Sequence, residues 1–310
     1  MCSLGQCEPI YFKPDMGKSF CKGDFFKYVE KTFVKAIKKY NLIKRGDHVA
    51  VAVSGGKDSM VLLYLMDKIE RQHFDVELTV VHLDEGIKGY SDKARVLVRE
   101  FTNDLGIRLL EASYAELFKY SIDFIASLHK EVRVFEPCTY CGVWRRWGLN
   151  FLADKAGADK LATAHTMDDE AQTVLMNVIR GGFDNLVKQD LSPERRKGFI
   201  PRIKPFRLLL ERETALYAIL RGIPYIDVTC PYAHLGMRWD IRFWLYEQEE
   251  KHPGTLRNIL AFEEKLLECC KDRYSSIELR KCKICGYPSS GDLCRAHELQ
   301  EFINKRLKEY

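Results

Sequence analysis

Several features that define large classes of protein are missing from this chain of 310 residues. No apolar run approaches the roughly 20 residues that cross a bilayer, and the first residues lack the basic and apolar segments of a secretory signal peptide. Only 10 prolines and 20 glycines are present, which excludes a collagen-like or largely disordered chain. A strong excess of one charge is also lacking, because 49 Lys and Arg against 44 Asp and Glu leave +5. We therefore expect a cytoplasmic globular protein without a membrane partner, and nucleic acid as a partner only where positive charge is clustered.

Cysteine, by contrast, is plentiful at 11 residues. A reducing cytoplasm does not maintain structural disulfides, and an odd number of cysteines does not pair completely. Clustered cysteines in such a chain therefore indicate metal ligands or reactive thiols.

Between two Cys-rich ends, the hydrophobic pattern alternates between strands and helices. The predicted strands cover 48–53, 77–83, 107–111 and 160–164, and the predicted helices include 92–105, 114–128, 145–156, 170–180, 211–221, 239–250 and 256–267. This alternation predicts βαβ units and an α/β fold with a doubly wound parallel sheet. The pattern fails from Gly181 to Arg212, a basic loop that contains Lys188, Arg195, Arg196, Lys197, Arg202, Lys204, Arg207 and Arg212.

A glycine-rich turn joins the first of these strands to a helix. It consists of Ser54, Gly55, Gly56, Lys57, Asp58 and Ser59. Glycines let the backbone approach an anion, and the free N–H groups at a helix start favour phosphate. The spacing of a Walker A loop is absent, which disfavours an ordinary P-loop NTPase. Polar residues also end the later strands, at His82 and Asp84 and at 163–170, where open α/β sheets bind ligands.

Together these motifs resemble the PP-loop ATP pyrophosphatases, whose hallmark is Ser-Gly-Gly-x-Asp-Ser after the first strand. The resemblance implies that the chain binds ATP with Mg²⁺ and transfers AMP to a carbonyl oxygen. It implies ATP contacts at Ala52, Val53, Ser54, Gly55, Gly56, Lys57, Asp58, Ser59, His82, Asp84, Ala164 and Asp169. Asp58 and Asp169 would be the catalytic or metal-directed acids. Ala164 and Thr166 depart from the family's Gly-His-Asn-x-Asp-Asp element.

Three further cysteines form a CxxC pair, Cys138 and Cys141, and a lone Cys230. A helix start and nearby arginines lower a thiol pKa, which favours metal ligation and nucleophilic chemistry alike. The set is one ligand short of the usual four for zinc or an iron–sulfur cluster.

This set resembles the tRNA 2-thiouridine synthetase branch of the PP-loop enzymes, in which such thiols hold a [4Fe–4S] cluster with one open iron for hydrosulfide. In the alternative within that branch, Cys138 or Cys230 carries a persulfide and no cluster is involved. Both residues are thus candidate catalytic thiols. Arg145 stands where some relatives have a catalytic Lys and would stabilise charge on the adenylated intermediate.

Cysteine motifs at both ends of the chain predict zinc sites. Cys282, Cys285, Cys294 and His297 form two turn-borne pairs, the pattern of a zinc ribbon closed tetrahedrally. Cys2, Cys7, Cys21 and Asp24 form a weaker candidate set, since relatives have a CxxC pair and a His where Asp24 stands. Zinc accepts carboxylate oxygen, and a degenerate, metal-free module also fits these residues.

We therefore expect a Cys-rich module over 1–26, a PP-loop catalytic domain over 27–252, a helical connection over 253–281 and a zinc ribbon with a terminal helix over 282–310. The resemblance implies a homodimeric tRNA 2-thiouridine synthetase that uses sulfide or a sulfur-carrier protein as its donor. The anticodon wobble uridine is our preferred substrate, with a T-loop uridine or an anticodon-loop cytidine as alternatives. A zinc-bearing RNA-binding adaptor and a PP-loop enzyme acting on a small molecule also remain open.

Overall fold

A parallel sheet lies at the centre of the computed structural model, which describes residues 8–70, 75–187, 198–270 and 280–309. The strands are β1 (Tyr11–Lys13), β2 (Lys18–Phe20), β3 (His48–Ala52), β4 (Glu77–Asp84), β5 (Arg108–Ser113), β6 (Lys160–Ala162), β7 (Arg202–Ile203), β8 (Arg280–Lys281) and β9 (Pro288–Ser289). Five of them form the central sheet in the order β5-β4-β3-β6-β7. The pairs β1-β2 and β8-β9 form small antiparallel sheets near the two ends of the chain.

Helices connect the strands of the central sheet. They are α1 (Lys22–Lys39), α2 (Lys57–Leu65), α3 (Ser91–Asp104), α4 (Tyr114–Phe118), α5 (Ile122–Glu131), α6 (Pro137–Ala156), α7 (Met167–Ile179), α8 (Phe183–Val187), α9 (Glu211–Arg221), α10 (Met237–Lys251), α11 (Thr255–Cys270) and α12 (Arg295–Glu309). In the described part of the chain, no helix has both the length and the apolar character of a membrane span.

Side chains of the central strands alternate between two hydrophobic clusters. In β3, Val49 and Val51 pack with Phe33 of α1 and Met60 of α2, whereas Ala50 packs on the other face with Trp144 of α6. Both faces of the sheet are therefore buried, as expected when crossover helices cover a parallel sheet. The α/β prediction is confirmed.

The predicted helix over 114–128 is instead two helices. Lys119 adopts a left-handed conformation with φ +67° and ends α4, and the Ser121 side chain accepts a hydrogen bond from the Phe124 amide at the start of α5. Both devices stop and restart a helix, while the apolar spacing continues across the break. Periodicity alone does not reveal such a break.

A buried ion pair attaches the N-terminal hairpin to the domain. Lys13 Nζ lies 2.6 Å from Glu213 Oε1, and both side chains are buried. The hydroxyls of Tyr11 and Tyr28 donate to the same carboxylate oxygen. Charge-assisted hydrogen bonds of this kind are short and strong, so Glu213 fixes the hairpin against α9.

Candidate active site and metal centres

The glycine-rich loop after β3 is shaped by contacts within the loop and with neighbouring elements. Gly55 has φ +80°, and a Cβ there would lie only 3.0 Å from Ala94 Cα of α3, so both conformation and space require glycine. The Ser59 hydroxyl donates to Gly56 O at 2.8 Å and accepts from Ser54 N at 3.1 Å. Among the described residues, no side chain caps α2 at Gly56, which leaves the first amides of the helix available to an anion.

A cavity of about 420 Å³ opens at the carboxyl end of the sheet beside this loop. Eight of the twelve ATP contacts implied by the sequence line it: Ala52, Val53, Ser54, Gly56, Asp58, Ser59, Ala164 and Asp169. Glu85, Tyr90, Arg145 and His165 complete much of the remaining wall. Residues from strand ends far apart in sequence therefore meet in one cleft, as the parallel topology requires.

The other four residues lie outside this lining. His82 is buried behind the loop, where its Nδ1 lies 2.7 Å from Val53 O. Asp84 accepts a hydrogen bond from Gly86 N at 2.7 Å and shapes the turn after β4. Gly55 O accepts from Ile226 N at 3.0 Å. These groups support the loop from behind.

Lys57 is the fourth implied ATP contact that does not line the first cavity. It lines a second cavity of about 460 Å³, together with Glu211 and Tyr246. Its Nζ lies 2.6 Å from Glu211 Oε1 and 3.0 Å from Asp58 Oδ2. Burial alone would lower the pKa of the ammonium, but these two carboxylates outweigh it and leave the Lys57 pKa raised. Lys57 is therefore held as a cation by two carboxylates, those of Asp58 on α2 and Glu211 on α9.

Glu211 also accepts hydrogen bonds from two residues of α10. Its Oε1 also accepts a hydrogen bond from Arg242 at 2.7 Å, and Oε2 accepts from the Tyr246 hydroxyl. Thr214, one turn further along α9, donates to Asp58 Oδ1. Burial raises the pKa of Asp58 despite the neighbouring Lys57 charge. The start of α9 thus sets the position of both charged residues of the loop.

The two aspartates at the start of α7 have different surroundings. Asp169 forms a capping box with Thr166 and lines the cavity beside the glycine-rich loop, and Arg238 donates to its backbone carbonyl at 3.2 Å. Asp168 is buried and accepts the Glu211 amide at 2.7 Å, and burial raises its pKa to about 7. Only Asp169 is directed toward the cavity that the loop lines.

The three central thiols come together around the first turn of α6. Cys138 Sγ donates to Tyr232 O at 3.3 Å, which places the CxxC pair against the segment that follows Cys230. Each of the Cys138 and Cys141 thiols lies close enough to Cys230 for the charge on that sulfur to affect its pKa. The structure therefore brings Cys138, Cys141 and Cys230 into one site.

Arg145 connects this thiol site to the cavity beside the glycine-rich loop. It lines the cavity, and its guanidinium lies 2.9 Å from Glu85 Oε1 and 3.2 Å from Cys141 Sγ. Glu85 is almost fully buried at the end of β4. Glu85 was not among the predicted site residues, although its position directly after Asp84 at a strand end was a usable signal.

The predicted lowering of the thiol pKa values is wrong. Burial raises the pKa of Cys138, Cys141 and Cys230, and the positive charge of Arg145 does not offset it. The helix start and the arginines are visible in the sequence, whereas the desolvation of a thiol depends on the tertiary packing around it.

The C-terminal cysteines and histidine form a compact ligand set. The four ligand atoms of Cys282, Cys285, Cys294 and His297 all lie within 4.8 Å of one another, and no other group of three such residues in the described chain does so. Burial raises the pKa of Cys282, but backbone amides donating to its sulfur lower it to about 7. His297 packs edge-on against Trp147 of α6. The geometry is compatible with a tetrahedral metal ion.

The N-terminal candidate set is described only in part, because Cys2 and Cys7 lie outside the described residues. Cys21 is buried at the start of α1, and Asp24 lies in the first turn of that helix. Zinc binding at this module stays a prediction.

Two basic residues of the predicted basic loop form ion pairs within the protein. Lys204 and Arg207 each lie 2.7 Å from Glu170, and Arg207 also pairs with the buried Glu263. These cations join the loop to α7 and α11 and leave little charge for a partner. Lys188 and the residues up to 197 lie outside the described chain.

Comparison with known proteins identifies relatives that share this architecture. A sequence profile of the PP-loop domain matches residues 27–206. The tRNA 2-thiolation protein NcsA of Haloferax volcanii is 36% identical over 303 residues, covering 93% of this chain and 94% of the relative. Cytoplasmic tRNA 2-thiolation protein 1 of Drosophila melanogaster is 35% identical over 297 residues, covering 95% of this chain and 85% of the relative.

A solved structure is similar along almost the entire chain. The U34-tRNA thiolase NcsA from Methanococcus maripaludis, determined with its [4Fe-4S] cluster, superimposes with a TM-score of 0.82 at 30% identity, covering 97% of this chain and 96% of that one. The chain therefore belongs to the PP-loop family, in the branch that contains the tRNA 2-thiolation proteins.

Proposed function

We propose that this protein is an ATP-dependent, AMP-forming tRNA sulfurtransferase that replaces the C2 oxygen of a uridine by sulfur. One observation carries the proposal. Arg145 lines the ATP cavity and also lies 3.2 Å from the Cys141 sulfur, so the nucleotide cavity and the thiol site are adjacent. The related thiolase of known structure acts on U34 of tRNA, which favours the anticodon wobble uridine over a T-loop uridine.

The reaction proceeds in two substitutions. The uridine C2 oxygen attacks the α-phosphorus of ATP, the bond from that phosphorus to the β-phosphate bridging oxygen breaks, and pyrophosphate leaves. Sulfur then forms a bond to C2, the C2–O bond breaks, and AMP leaves. Adenylation is required because an unactivated carbonyl oxygen is a poor leaving group.

The loop residues bind and orient ATP in this scheme. The open amides at the start of α2, together with the Ser54 hydroxyl, donate hydrogen bonds to the phosphate oxygens. Asp58 and Asp169, both lining the cavity, hold Mg²⁺, which prefers carboxylate oxygen. Arg145, held by Glu85, stabilises the negative charge that develops on the adenylated base.

The thiol site suits an iron–sulfur cluster. Soft thiolates select iron–sulfur clusters, and here three half-buried or buried thiols with raised pKa values lie together, where a cation would stabilise their ionised forms. Cys138, Cys141 and Cys230 would hold a [4Fe–4S] cluster. When bound, the cluster supplies iron as a Lewis acid for sulfide. Tyr114 supports this site by donating to Cys141 O at 3.0 Å.

The remaining components complete the proposal. Zinc is held by Cys282, Cys285, Cys294 and His297. We also retain the proposed domain division: a module over 1–26, a catalytic domain over 27–252, a connection over 253–281 and a zinc module over 282–310. The protein acts in the cytoplasm as a homodimer, with sulfide or a sulfur-carrier protein as donor.

The test is anaerobic incubation of cluster-reconstituted protein with unmodified tRNA, ATP, Mg²⁺ and sulfide, followed by mass spectrometry of ribonuclease fragments. We expect a sulfur-for-oxygen mass gain in the anticodon fragment and none with Cys230→Ala. A gain in the T-loop fragment would reverse the choice of base. No gain in any fragment, with iron verified in the protein, would refute the proposal, and activity that survives complete iron removal would favour the persulfide route.

A further inference from the structure

Three arginines near the mouth of the ATP cavity carry charge that few carboxylates offset. Arg202 of β7 donates to Arg146 O of α6 at 2.7 Å, and Arg146 also lies within electrostatic reach of Arg238 of α10. Arg238 donates to uncharged oxygens of Gln172 and Thr173, and its nearest carboxylate oxygen, on Asp169, is 3.9 Å away. We call Arg146, Arg202 and Arg238 the arginine cluster.

Burial and the neighbouring positive charges both disfavour the charged forms of two arginines in this cluster. Burial and the positive charge of Arg146 lower the pKa of Arg202 to about 10. Partial burial, and then the charges of Arg145 and Arg238, lower the pKa of Arg146, and no ion pair of its side chain occurs with any described residue. An arriving polyanion would relieve this repulsion, so the cluster is complementary to phosphate.

Three aromatic side chains of α10, which we call the aromatic ladder, follow Arg238 along the helix: Trp239, Phe243 and Tyr246. The rings of Trp239 and Phe243 lie 5.0 Å apart edge to face, and those of Phe243 and Tyr246 lie 6.5 Å apart. Phe243 is 52% exposed although it is apolar. The positions 239, 243 and 246 follow helical spacing on the flank that adjoins Arg238 and Arg242. Phe243 therefore contacts a ring on each side along the helix while about half of its surface stays exposed.

We propose that the arginine cluster and the aromatic ladder form a docking surface for a single-stranded segment of RNA, with phosphates on the arginines and an unstacked base on Phe243. Single-stranded RNA is recognised by this combination, because every base offers a stacking face and every linkage a charge. The inference rests on the proposed function and specifies how its substrate reaches the cavity. A second copy of this chain fits poorly, since a two-fold interface here would bring the arginines of both copies together.

The first measurement is binding of unmodified tRNA to the cluster-reconstituted protein by fluorescence anisotropy between about 50 and 200 mM salt. We expect Phe243→Ala to weaken binding about tenfold without changing the salt dependence, because stacking is uncharged. Phe243→Tyr restores a ring and should restore affinity. Arg146→Gln should weaken binding about threefold and reduce the slope of log K against log salt by about one.

Two matched controls are available. Trp244 is 50% exposed on the same helix but about 100° further round, so Trp244→Ala should stay within about twofold of the unaltered protein. Arg45 precedes β3, at the amino end of the parallel strands and thus at the opposite end from the cavity. Its side chain is 84% exposed, so Arg45→Gln removes one charge away from the cavity. Unfolding midpoints for all variants verify that the fold is kept.

If Phe243→Ala binds tRNA as tightly as Trp244→Ala does, the docking surface is wrong. If Phe243→Ala changes the sedimentation coefficient without changing tRNA affinity, the face joins two copies of the chain, and the proposal is also wrong. Failure of the function itself has a different signature, since the unaltered protein would then thiolate no tRNA under the same conditions.

Discussion

The C-terminal Cys/His site and the central thiol site differ in how their ligands are assembled. At the C-terminal site, four ligand atoms from one short stretch lie within 4.8 Å of one another. Backbone amides lower the pKa of Cys282 there, whereas burial raises that of Cys294 to about 12. At the central site, Cys138 and Cys141 begin α6, Cys230 follows 89 residues after Cys141, and burial raises all three pKa values. A compact four-ligand set suits a structural ion, whereas an open three-ligand set leaves room for chemistry.

The largest effect is expected from removing one central thiol. Cys230→Ala should lower tRNA thiolation by at least about 100-fold, since losing even the outer partners of a metal site costs 10- to 100-fold. It should also lower the iron content and leave tRNA affinity and zinc content intact. Metal analysis, a tRNA-binding isotherm and nucleoside mass spectrometry make the three measurements. Thiolation retained by this variant would show that the central thiols are not the sulfur site.

The same substitution at the other site should have the opposite profile. Cys285→Ala removes one of four ligands that fix α12 against α6, so we expect a loss of about 4 kcal/mol in the free energy of unfolding. For a chain of this size the unfolding midpoint should fall by roughly 10 °C. Zinc should be lost and iron retained in calorimetry and metal analysis. A variant that loses activity with an unchanged midpoint would mean that the C-terminal site acts in catalysis and not in stability.

A smaller effect is expected in the second cavity beside the glycine-rich loop, where Glu211 forms an ion pair with Lys57. Glu211→Gln removes the charge that holds the ammonium, and ATP binding should weaken by about tenfold, within the range for a charge-assisted hydrogen bond. Lys57→Met should have a similar effect, and the double variant should be no worse than either single one.

Calorimetric titration of the holoprotein with ATP measures these affinities, with Glu250→Gln from the same cavity as the control. Tighter ATP binding by Glu211→Gln would contradict this interpretation, since it would mean that Glu211 competes with phosphate for Lys57.

The smallest effect concerns pH and the buried Asp168. Its folded pKa of about 7 is above the usual value of 3.8, so the protonated form is favoured by folding. Its stabilising contribution is therefore complete below about pH 4 and is lost as the pH rises through 7. Between pH 5 and 8 the unfolding midpoint of Asp168→Asn should fall by a few degrees less than that of the unaltered protein. Equal slopes for the two proteins would show that Asp168 does not titrate in this range.

Local signals in the sequence predicted much of the fold but fewer of its contacts. The strand at 48–53, the loop at 54–59 and the helix after it were predictable, because period-2 apolar spacing, glycines and a helix start adjoin in the chain. The break between α4 and α5 was not, since a single left-handed residue interrupts the helix without altering the apolar spacing.

At the candidate site, the sequence motifs predicted most of the residues that line the cavity but not the directions of their side chains. Lys57 was expected to face phosphate, yet it faces Glu211, 154 residues away. Arg238 was overlooked because a lone charged residue carries no pattern, whereas the strand-end position of Glu85 was a signal that went unused. The thiol pKa values were misjudged because desolvation depends on what packs around a sulfur.

The sequence by itself determined the parallel α/β architecture, the phosphate loop and the four-ligand C-terminal site, because residues close in the chain specify each of them. Only the tertiary structure decided that Cys230 joins the CxxC pair, that Arg145 both contacts Cys141 and lines the cavity beside the loop, and that the exposed Phe243 lies on the same helix as Arg238. Those arrangements depend on the distance, burial and net charge of groups from separate segments. These quantities have no counterpart in the spacing of residues along the chain.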